Sequence, residues 1–391
     1  MIKVGLIGCG GRGTGAAVQA LRADPQVVIT ALADIFEDRL ADSLHALQKV
    51  DTKRTKVDPH HRFVGFDSYR QLIDSDVDVV LLASPPYFRP LHLSAAVAAG
   101  KHVFCEKPFA VDMPGVRKVL EAVKVSKEKN LALVSGFCFR YDYRKRALFE
   151  KVHQRAVGEI LSLSSFRFGG ELPFKPRQSH WNNLDYSLRN WHYYNWLSGD
   201  IIVEQSIHSL DMMLWAMNGR LPYKAIGTGG RQVRIAEKYG NIYDHFAVEF
   251  EFQNGVKGYH LTRQQPGCAN RNTVDIVGSE GTASLEVGRR YAITGRRPWV
   301  YQGPTNNMYQ TQHDALFASI RAGNPINDGG WSTNSTILAI LSTMVGYSGR
   351  ELTWEEALAS DLTFGPPIDS FDWDTRWPTP PVAMPGTTTV I

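Results

Sequence analysis

A run of apolar residues, Val4-Gly5-Leu6-Ile7, leads directly into Gly8-Cys9-Gly10-Gly11-Arg12-Gly13, and an amphipathic stretch from Thr14 to Arg22 follows. G-x-G-x-x-G placed between a strand and a helix constrains a fold strongly. The glycines permit a tight turn and let a pyrophosphate approach the backbone, while the helix N-terminus supplies N–H donors and the positive end of its dipole. A second apolar run, Val27 to Ala33, closes on Asp34, about 20 residues past the last glycine, where a carboxylate binds ribose hydroxyls. Gly8, Gly10, Gly11, Gly13 and Asp34 therefore predict a dinucleotide site. An acidic group at the ribose repels a 2′-phosphate, so NAD is expected rather than NADP. Arg12 is a candidate for the pyrophosphate or, equally, an exposed arginine at a helix start.

The alternation continues through Val77 to Ala83, a helical Leu93 to Ala99 ending at Gly100, Val103-Phe104, and a helical Pro114 to Lys129. Strand and helix alternating at this pitch predict an α/β, doubly wound parallel (Rossmann) sheet over residues 1–130. From about residue 135 the texture changes to longer, alternating strands. These are Ile160 to Phe168, Phe246 to Phe252, Val256 to Thr262, Thr273 to Val277 and Thr282 to Val287, with Asn254-Gly255 as a hairpin signal. Helices are expected at Ile201 to Met217 and Thr336 to Tyr347. Residues 131–363 thus read as a C-terminal α+β domain on a large, mostly antiparallel open sheet. Residues 364–391, rich in proline and carrying Trp373 and Trp377, read as an extended arm that docks on the rest. Gly227 to Gly230 lacks a strand-turn-helix context and is read as a loop; His60-His61 beside Asp58 is read as a solvated loop.

Composition narrows the function classes. The net charge is only +4 over 391 residues, with no basic block, which argues against nucleic acid and fits a neutral polyol substrate better than a strongly charged one. Cys9, Cys105, Cys138 and Cys268 show no paired or CxxC spacing, as expected of thiols in a reducing compartment. No run of about 18 apolar residues suggests a membrane span, and the strand-like start at Ile2 leaves no room for a signal peptide, so a cytoplasmic protein is expected.

Two further stretches carry chemistry. Ser84-Pro85-Pro86 and Cys105-Glu106-Lys107-Pro108 each follow a strand, which places Ser84, Pro85, Glu106 and Lys107 at the strand ends where ligands of open α/β sheets bind. The proline restricts the backbone before it, and a cis peptide at Lys107–Pro108 is allowed. A helix begun at Gly199-Asp200 puts Glu204, His208 and Asp211 on one face. There a carboxylate beside a histidine favours its protonated form, as a proton acceptor in alcohol oxidation requires. Lys107, desolvated beside a positive nicotinamide, would lose a proton more easily. No further His or Cys cluster completes a metal site.

The glycine motif, Glu106-Lys107-Pro108, the later carboxylate-x-x-x-His and Thr353-Trp354-Glu355-Glu356 together resemble the glucose–fructose oxidoreductase, inositol dehydrogenase and rhizopine-catabolism (Gfo/Idh/MocA) family over nearly the whole chain. The resemblance implies that Lys107 contacts the reacting hydroxyl and His208 is the acid/base. It also implies a homo-oligomer, dimer or tetramer, formed through the face of the second sheet. Where the family commonly has aspartate four residues before the histidine, this chain has Glu204.

Trp181, Tyr186, Trp191, Tyr193, Tyr194 and Trp196 are interleaved with Arg189, His192 and asparagines, a composition suited either to a carbohydrate pocket or to a packed corner. Arg140 and Asp244, with Tyr141 and His245, are further polar candidates for substrate. These residues predict an NAD-dependent oxidoreductase for a secondary alcohol of a sugar, cyclitol or glycoside, with Glu204 tuning His208. Two alternatives stand beside it. One is an NAD-dependent glycoside hydrolase working through transient 3-keto oxidation, elimination, hydration and re-reduction, with one of the abundant tyrosines, Tyr193 and Tyr194 among them, as the extra base. The other is a non-catalytic NAD-binding regulator.

Overall fold

The computed structural model describes residues 1–367 and 371–391. In the first half, strands β1 (Ile2–Ile7), β2 (Val27–Asp34), β3 (Arg62–Val64), β4 (Val79–Leu82), β5 (His102–Cys105) and β6 (Leu133–Ser135) alternate with helices. These are α1 (Gly11–Ala23), α2 (Glu37–Val50), α3 (Ser68–Asp74), α4 (Arg89–Ala98) and α5 (Met113–Glu128). The strands form one parallel sheet in the order β3-β2-β1-β4-β5-β6. β1 and β4 are apolar nearly throughout because helices cover both faces of the sheet. The order reverses direction between β1 and β4, and a crevice opens beyond the strand ends at that point.

Helix α6 (Tyr143–His153) leads into β7 (Ile160–Gly169), the central strand of the second sheet. Four short helices follow: α7 (Asn183–Arg189), α8 (Asn195–Ser198), α9 (Ile201–Glu204) and α10 (Ile207–Ala216). Then come β8 (Lys224–Gly230), β9 (His245–Glu251), β10 (Lys257–Gln264), β11 (Arg271–Gly278), β12 (Gly281–Glu286), β13 (Arg290–Gly295) and β14 (Trp299–Val300). The chain continues through α11 (Met308–Arg321), α12 (Gly329–Ser348), β15 (Leu352–Thr353) and α13 (Trp354–Ala359). The nine-stranded sheet runs β14-β13-β12-β11-β7-β10-β9-β8-β15 and is antiparallel except where β7 lies parallel to β10. Asn254-Gly255 turns β9 into β10, with Gly255 at φ +79°. Phe246, Val248 and Phe250 alternate inward along β9 onto the core. The architecture is the α/β sheet plus large antiparallel sheet that the sequence predicts.

The two sheets are stitched together by more than their connection. After the second sheet, α11 returns to pack on α1, and Asp328 accepts hydrogen bonds from the Tyr141 hydroxyl at 2.8 Å and the Ser135 N–H at 3.3 Å. Trp373 packs on Phe36 and Phe66, while Val390 is buried with its carbonyl accepting from the Ser360 hydroxyl. Among the described residues no helix is long and apolar enough to cross a membrane, and Cys9, Cys105, Cys138 and Cys268 are free thiols.

Two expectations are corrected. Gly227 to Gly230 is the end of β8, not a loop. A Cβ at Gly227 would press on Val345, so this glycine lets α12 lie close on the sheet, and one at Gly229 would press on Tyr243 and Phe246 beside it. The helix expected from Ile201 to Met217 is two pieces, α9 and α10, broken at Gln205-Ser206. His61 and Asp58 do lie on an exposed turn, paired with each other at 2.8 Å.

Three histidines are enclosed in the fold. Burial first, then a nearby arginine, pushes His92 to about 3, His260 to about 3 and His313 to about 3. His260 is bonded to the Ser165 hydroxyl at 2.8 Å, and His313 lies against Phe104 with both ring nitrogens unpartnered among the described residues. Each folded value lies below the unfolded one near 6.5, so the unfolded chain binds the proton first. Stability is therefore fully present above about pH 6.5 and falls as pH drops toward 3, by about 1.4 kcal/mol per pH unit for each histidine. Asp200, raised to about 6 chiefly by burial, acts with the opposite sign, as do the buried Asp34, Asp112 and Asp328, but His102, His192 and His208, also lowered by burial, add to the three enclosed histidines and keep the sign of the slope. Urea midpoints should fall steeply between about pH 6.5 and 5, and His313→Gln should flatten the slope; a constant midpoint over that interval would contradict this account.

Candidate active site

A cavity of about 820 Å³ runs from the glycine turn, across the ends of β1, β2, β4 and β5, to the near end of the second sheet. Its first part is shaped by glycine. Gly8 has φ +94°, and a Cβ there would lie 2.5 Å from the Ser84 nitrogen; a Cβ on Gly13 would lie 1.9 Å from the Gly8 carbonyl oxygen. Gly10 and Gly11, by contrast, have nothing within 4 Å of an added Cβ. Two glycines tighten the turn and two leave open space beside a helix N-terminus, which is the cradle a pyrophosphate requires.

Asp34 is buried at the end of β2 and accepts from the Cys9 N–H at 2.6 Å and the Phe36 N–H at 2.9 Å. Burial raises its pKa; the hydrogen bonds and Arg39 oppose the shift. Each oxygen keeps a further lone pair for a ribose hydroxyl. Arg12 is not a free helix-start arginine. Its Nε lies 3.3 Å from Glu106 Oε1, its guanidinium sits 5.1 Å over the Tyr309 ring, and it bonds to Gln19. Ser84 meets His92 at 3.0 Å, with His92 stacked on Tyr69, and Pro85 lines the cavity beside them. The donors, the open glycines and the acidic strand end fit NAD.

At the other end, β5 delivers Glu106-Lys107-Pro108 into the cavity, and the Lys107–Pro108 peptide is cis. Lys107 Nζ donates to the Glu204 carbonyl oxygen at 2.6 Å and to Glu204 Oε1 at 2.9 Å. Gln205 Nε2 donates to Glu204 Oε2 at 2.5 Å. Burial alone would raise the Glu204 pKa, but Lys107 and then His192 overcome it and hold the carboxyl at about 2. Glu204 is thus a permanent carboxylate bound to Lys107, and it does not stack beside His208 on a helix face as the spacing predicts. The break between α9 and α10 is the reason: the carbonyl at the end of α9 receives Lys107, and Ser206 turns aside to donate to Thr262 at 2.8 Å.

His208, on the first turn of α10, lines the cavity against Phe139 and Phe137, with ring centroids 4.7 and 6.0 Å away. Its Nδ1 is enclosed without a partner among the described residues, which leaves Nε2 as the nitrogen open to the cavity. Burial, then Lys107 and Arg167, drives its pKa well below 6.5, and Glu204 opposes only in part. The ring is neutral at neutral pH and free to take a proton.

The structure therefore brings Gly8, Gly10, Gly11, Arg12, Gly13, Asp34, Ser84, Pro85, Glu106, Lys107, Glu204, His208 and Trp191 to one cavity. The remaining candidates lie outside its walls. Arg140 forms two 2.9 Å bonds to Asp211 and is held between Trp215 and Trp331. Arg189 pairs with Asp38 of α2 and lies over Phe36. Tyr193 donates to the Leu172 carbonyl at 2.7 Å, and Tyr194 is buried in the core. Asp244 accepts the N–H groups of Gln232, Val233 and Arg234, organising a loop. Arg39, Arg167, Gln205, Tyr309 and Phe371 also line the cavity without having been singled out for it from sequence, and His192 of the aromatic stretch lines it beside Trp191. Gln205 had a signal in its adjacency to Glu204; Phe371, in the C-terminal segment, had none.

Comparison with known proteins places this geometry. The chain matches the Gfo/Idh/MocA oxidoreductase family model, described as an NAD-binding Rossmann fold, over residues 2–137, and the Gfo/Idh/MocA C-terminal domain over residues 146–284. It is 27% identical to the myo-inositol 2-dehydrogenase of Thermotoga maritima over 283 residues, 72% of this chain and 74% of that one. It is also 27% identical to the levoglucosan dehydrogenase of Pseudarthrobacter phenanthrenivorans, over 59% of this chain and 62% of that one. Among solved structures, a levoglucosan dehydrogenase in complex with NADH and levoglucosan superposes with a TM-score of 0.71 at 18% identity, covering 90% of this chain and 99% of that one. The aldose-aldose oxidoreductase of Caulobacter crescentus gives the same TM-score, identity and coverage. A glycine cradle on the first sheet, a Glu-Lys-Pro turn facing a histidine from the second, and both family models in sequence place this chain in the Gfo/Idh/MocA family of NAD-binding oxidoreductases.

Proposed function

We propose that this enzyme oxidises a secondary alcohol of a sugar or cyclitol, with Lys107 and His208 handling the hydroxyl. The observation that carries the reading is the continuity of one cavity from the open glycines to a lysine and a neutral histidine. Relatives named inositol 2-dehydrogenase and levoglucosan dehydrogenase support the substrate class. Bound NAD supplies the hydride acceptor.

In this reading Lys107 Nζ donates to the substrate hydroxyl oxygen and positions it, while His208 Nε2 accepts the hydroxyl proton as the carbonyl forms. Glu204 serves Lys107: two contacts from one residue fix the ammonium and balance its charge in a partly dry site. Trp191, stacked on His192 at the cavity wall, offers an aromatic face to the C–H side of a ring. Asp34 supports NAD over NADP, since its buried carboxylate opposes a 2′-phosphate. Tyr193 and Tyr194, two of the tyrosines that could have supplied the base of a glycoside-hydrolase route, lie outside the walls of the cavity.

Three outcomes check this. On a panel of sugars, cyclitols and aryl glycosides with NAD, NADH should form with the glycosidic bond intact; aglycone release without net NADH would instead establish the hydrolase. Lys107→Ala and His208→Ala should each lower kcat by about 10²–10⁴, and turnover that survives both would remove these residues from the mechanism. Because His208 must be neutral to act and its pKa is lowered, the acid limb of kcat/KM for oxidation should lie below about pH 6.5 and fall as pH drops through it. A limb at or above that value would assign the base elsewhere.

A further inference from the structure

Arg167, near the end of β7, puts a half-buried guanidinium into the wall of the cavity. Among the described residues it has no carboxylate within ion-pair distance, and its one side-chain hydrogen bond is a long one, 3.4 Å to the neutral Gln205 Oε1. The other cations here are committed. Lys107 is bound to Glu204, Arg12 to Glu106, and Arg89 is buried with its guanidinium donating to the Pro108 carbonyl at 2.6 Å. His192 and His208 are both shifted toward the neutral form by burial. The end of the cavity that holds Lys107 and His208 therefore carries a guanidinium with no ion-pair partner of its own, since Glu204, the carboxylate that acts on it, is already bonded to Lys107 and Gln205. A guanidinium partly withdrawn from water without a counter-charge is costly, and the cost is recovered when an anion docks on it. A planar fork matches a carboxylate with two parallel bonds.

We propose that Arg167 is a specificity residue that selects a substrate bearing an oxyanion, a sugar carboxylate of the uronate class rather than a neutral polyol. This rests on the function proposed above and narrows it. It also departs from the expectation drawn from the net charge of +4, because the relevant quantity is the charge at one wall of the site, not the sum over the chain. Gln205 links Arg167 to Glu204, and Glu204 holds Lys107, so the selecting cation is tied through two side chains to the residue that handles the reacting hydroxyl.

The test uses the full chain loaded with NAD, titrated calorimetrically with methyl glucuronide, with methyl glucoside as its neutral counterpart and with glucose 6-phosphate, while NADH is followed in the same samples. The uronide should bind at least about tenfold more tightly than the glucoside. Arg167→Gln should collapse that ratio toward one, and Arg167→Lys, which keeps the charge but loses the fork, should restore part of it. Equal affinity for uronide and glucoside in the unaltered protein, or no binding of uronide at all, overturns the proposal, as does a ratio that survives Arg167→Gln. Tighter binding of the phosphate than of the uronide overturns the choice of carboxylate. Selective uronide binding with no NADH from any sugar would uphold the role of Arg167 and count against the dehydrogenase reading, so the two failures are distinguishable.

Discussion

The contact between Lys107 and Glu204 joins the two halves of the molecule at the place where its chemistry is assembled. The lysine stands at the end of a strand of the parallel sheet and the glutamate at the end of a short helix on the second sheet, 97 residues later. Both groups are nearly enclosed, with side-chain exposures of 13% and 11%. At that depth neither charge is tolerable alone: removing one partner leaves an ion stranded in a weakly solvating site, a loss of about 3–5 kcal/mol. The pair therefore aligns the halves as well as orienting the lysine. A strand end moved away from its helix would break it.

The glutamate offers both its carbonyl and its carboxylate to Lys107 because the helix stops there. A continuous helix would have directed that carbonyl along its own axis toward the next turn. Interrupting it after Glu204 frees the carbonyl, and the new start at Ile207 carries His208 into the cavity on a separate trajectory. Lysine and histidine then occupy one site while the carboxylate is bonded to Lys107 and Gln205 and not to the histidine. The imidazole, left among Phe137, Phe139 and positive neighbours, stays neutral.

This arrangement explains what was legible in the sequence and what was not. The glycine turn, Asp34 and the strand-end residues Ser84 and Lys107 depend on local backbone chemistry, so sequence order alone put them at the strand ends, where they line the cavity. The antiparallel strands were equally plain from their period of two and the Asn254-Gly255 turn. The break at Gln205-Ser206 depends on Lys107 and Thr262, contacts far away in sequence, and local spacing favoured an unbroken helix instead. Arg140 and Arg189 looked like sugar-binding arginines because their partners, Asp211 and Asp38, could be matched to them only in three dimensions. Arg167 was hidden for the opposite reason: in a strand of alternating burial nothing local marks a guanidinium that lacks a partner. Gly227 to Gly230 misled because a glycine required for close approach of a helix is written the same way as one required for a turn.

At the end of the cavity that holds Asp34, distant stretches of the chain meet along the wall where a dinucleotide would lie. Asp34 and Phe36 belong to the first sheet, but Phe36 is covered by Arg189 from α7 and by Trp373 from the C-terminal segment. Phe371 from that segment packs on Phe66, Phe88 and Trp196 and lines the same cavity. A dinucleotide lying along this wall would touch residues brought together from three distant stretches of chain. Its binding free energy is then available only when those stretches are in place, and by linkage it stabilises their assembly. The same geometry puts Lys107 and His208, the residues proposed to handle the hydroxyl, in one cavity at the other end. Lys107 is delivered by the sheet that cradles the cofactor, and Glu204 meets it only when the second sheet is seated.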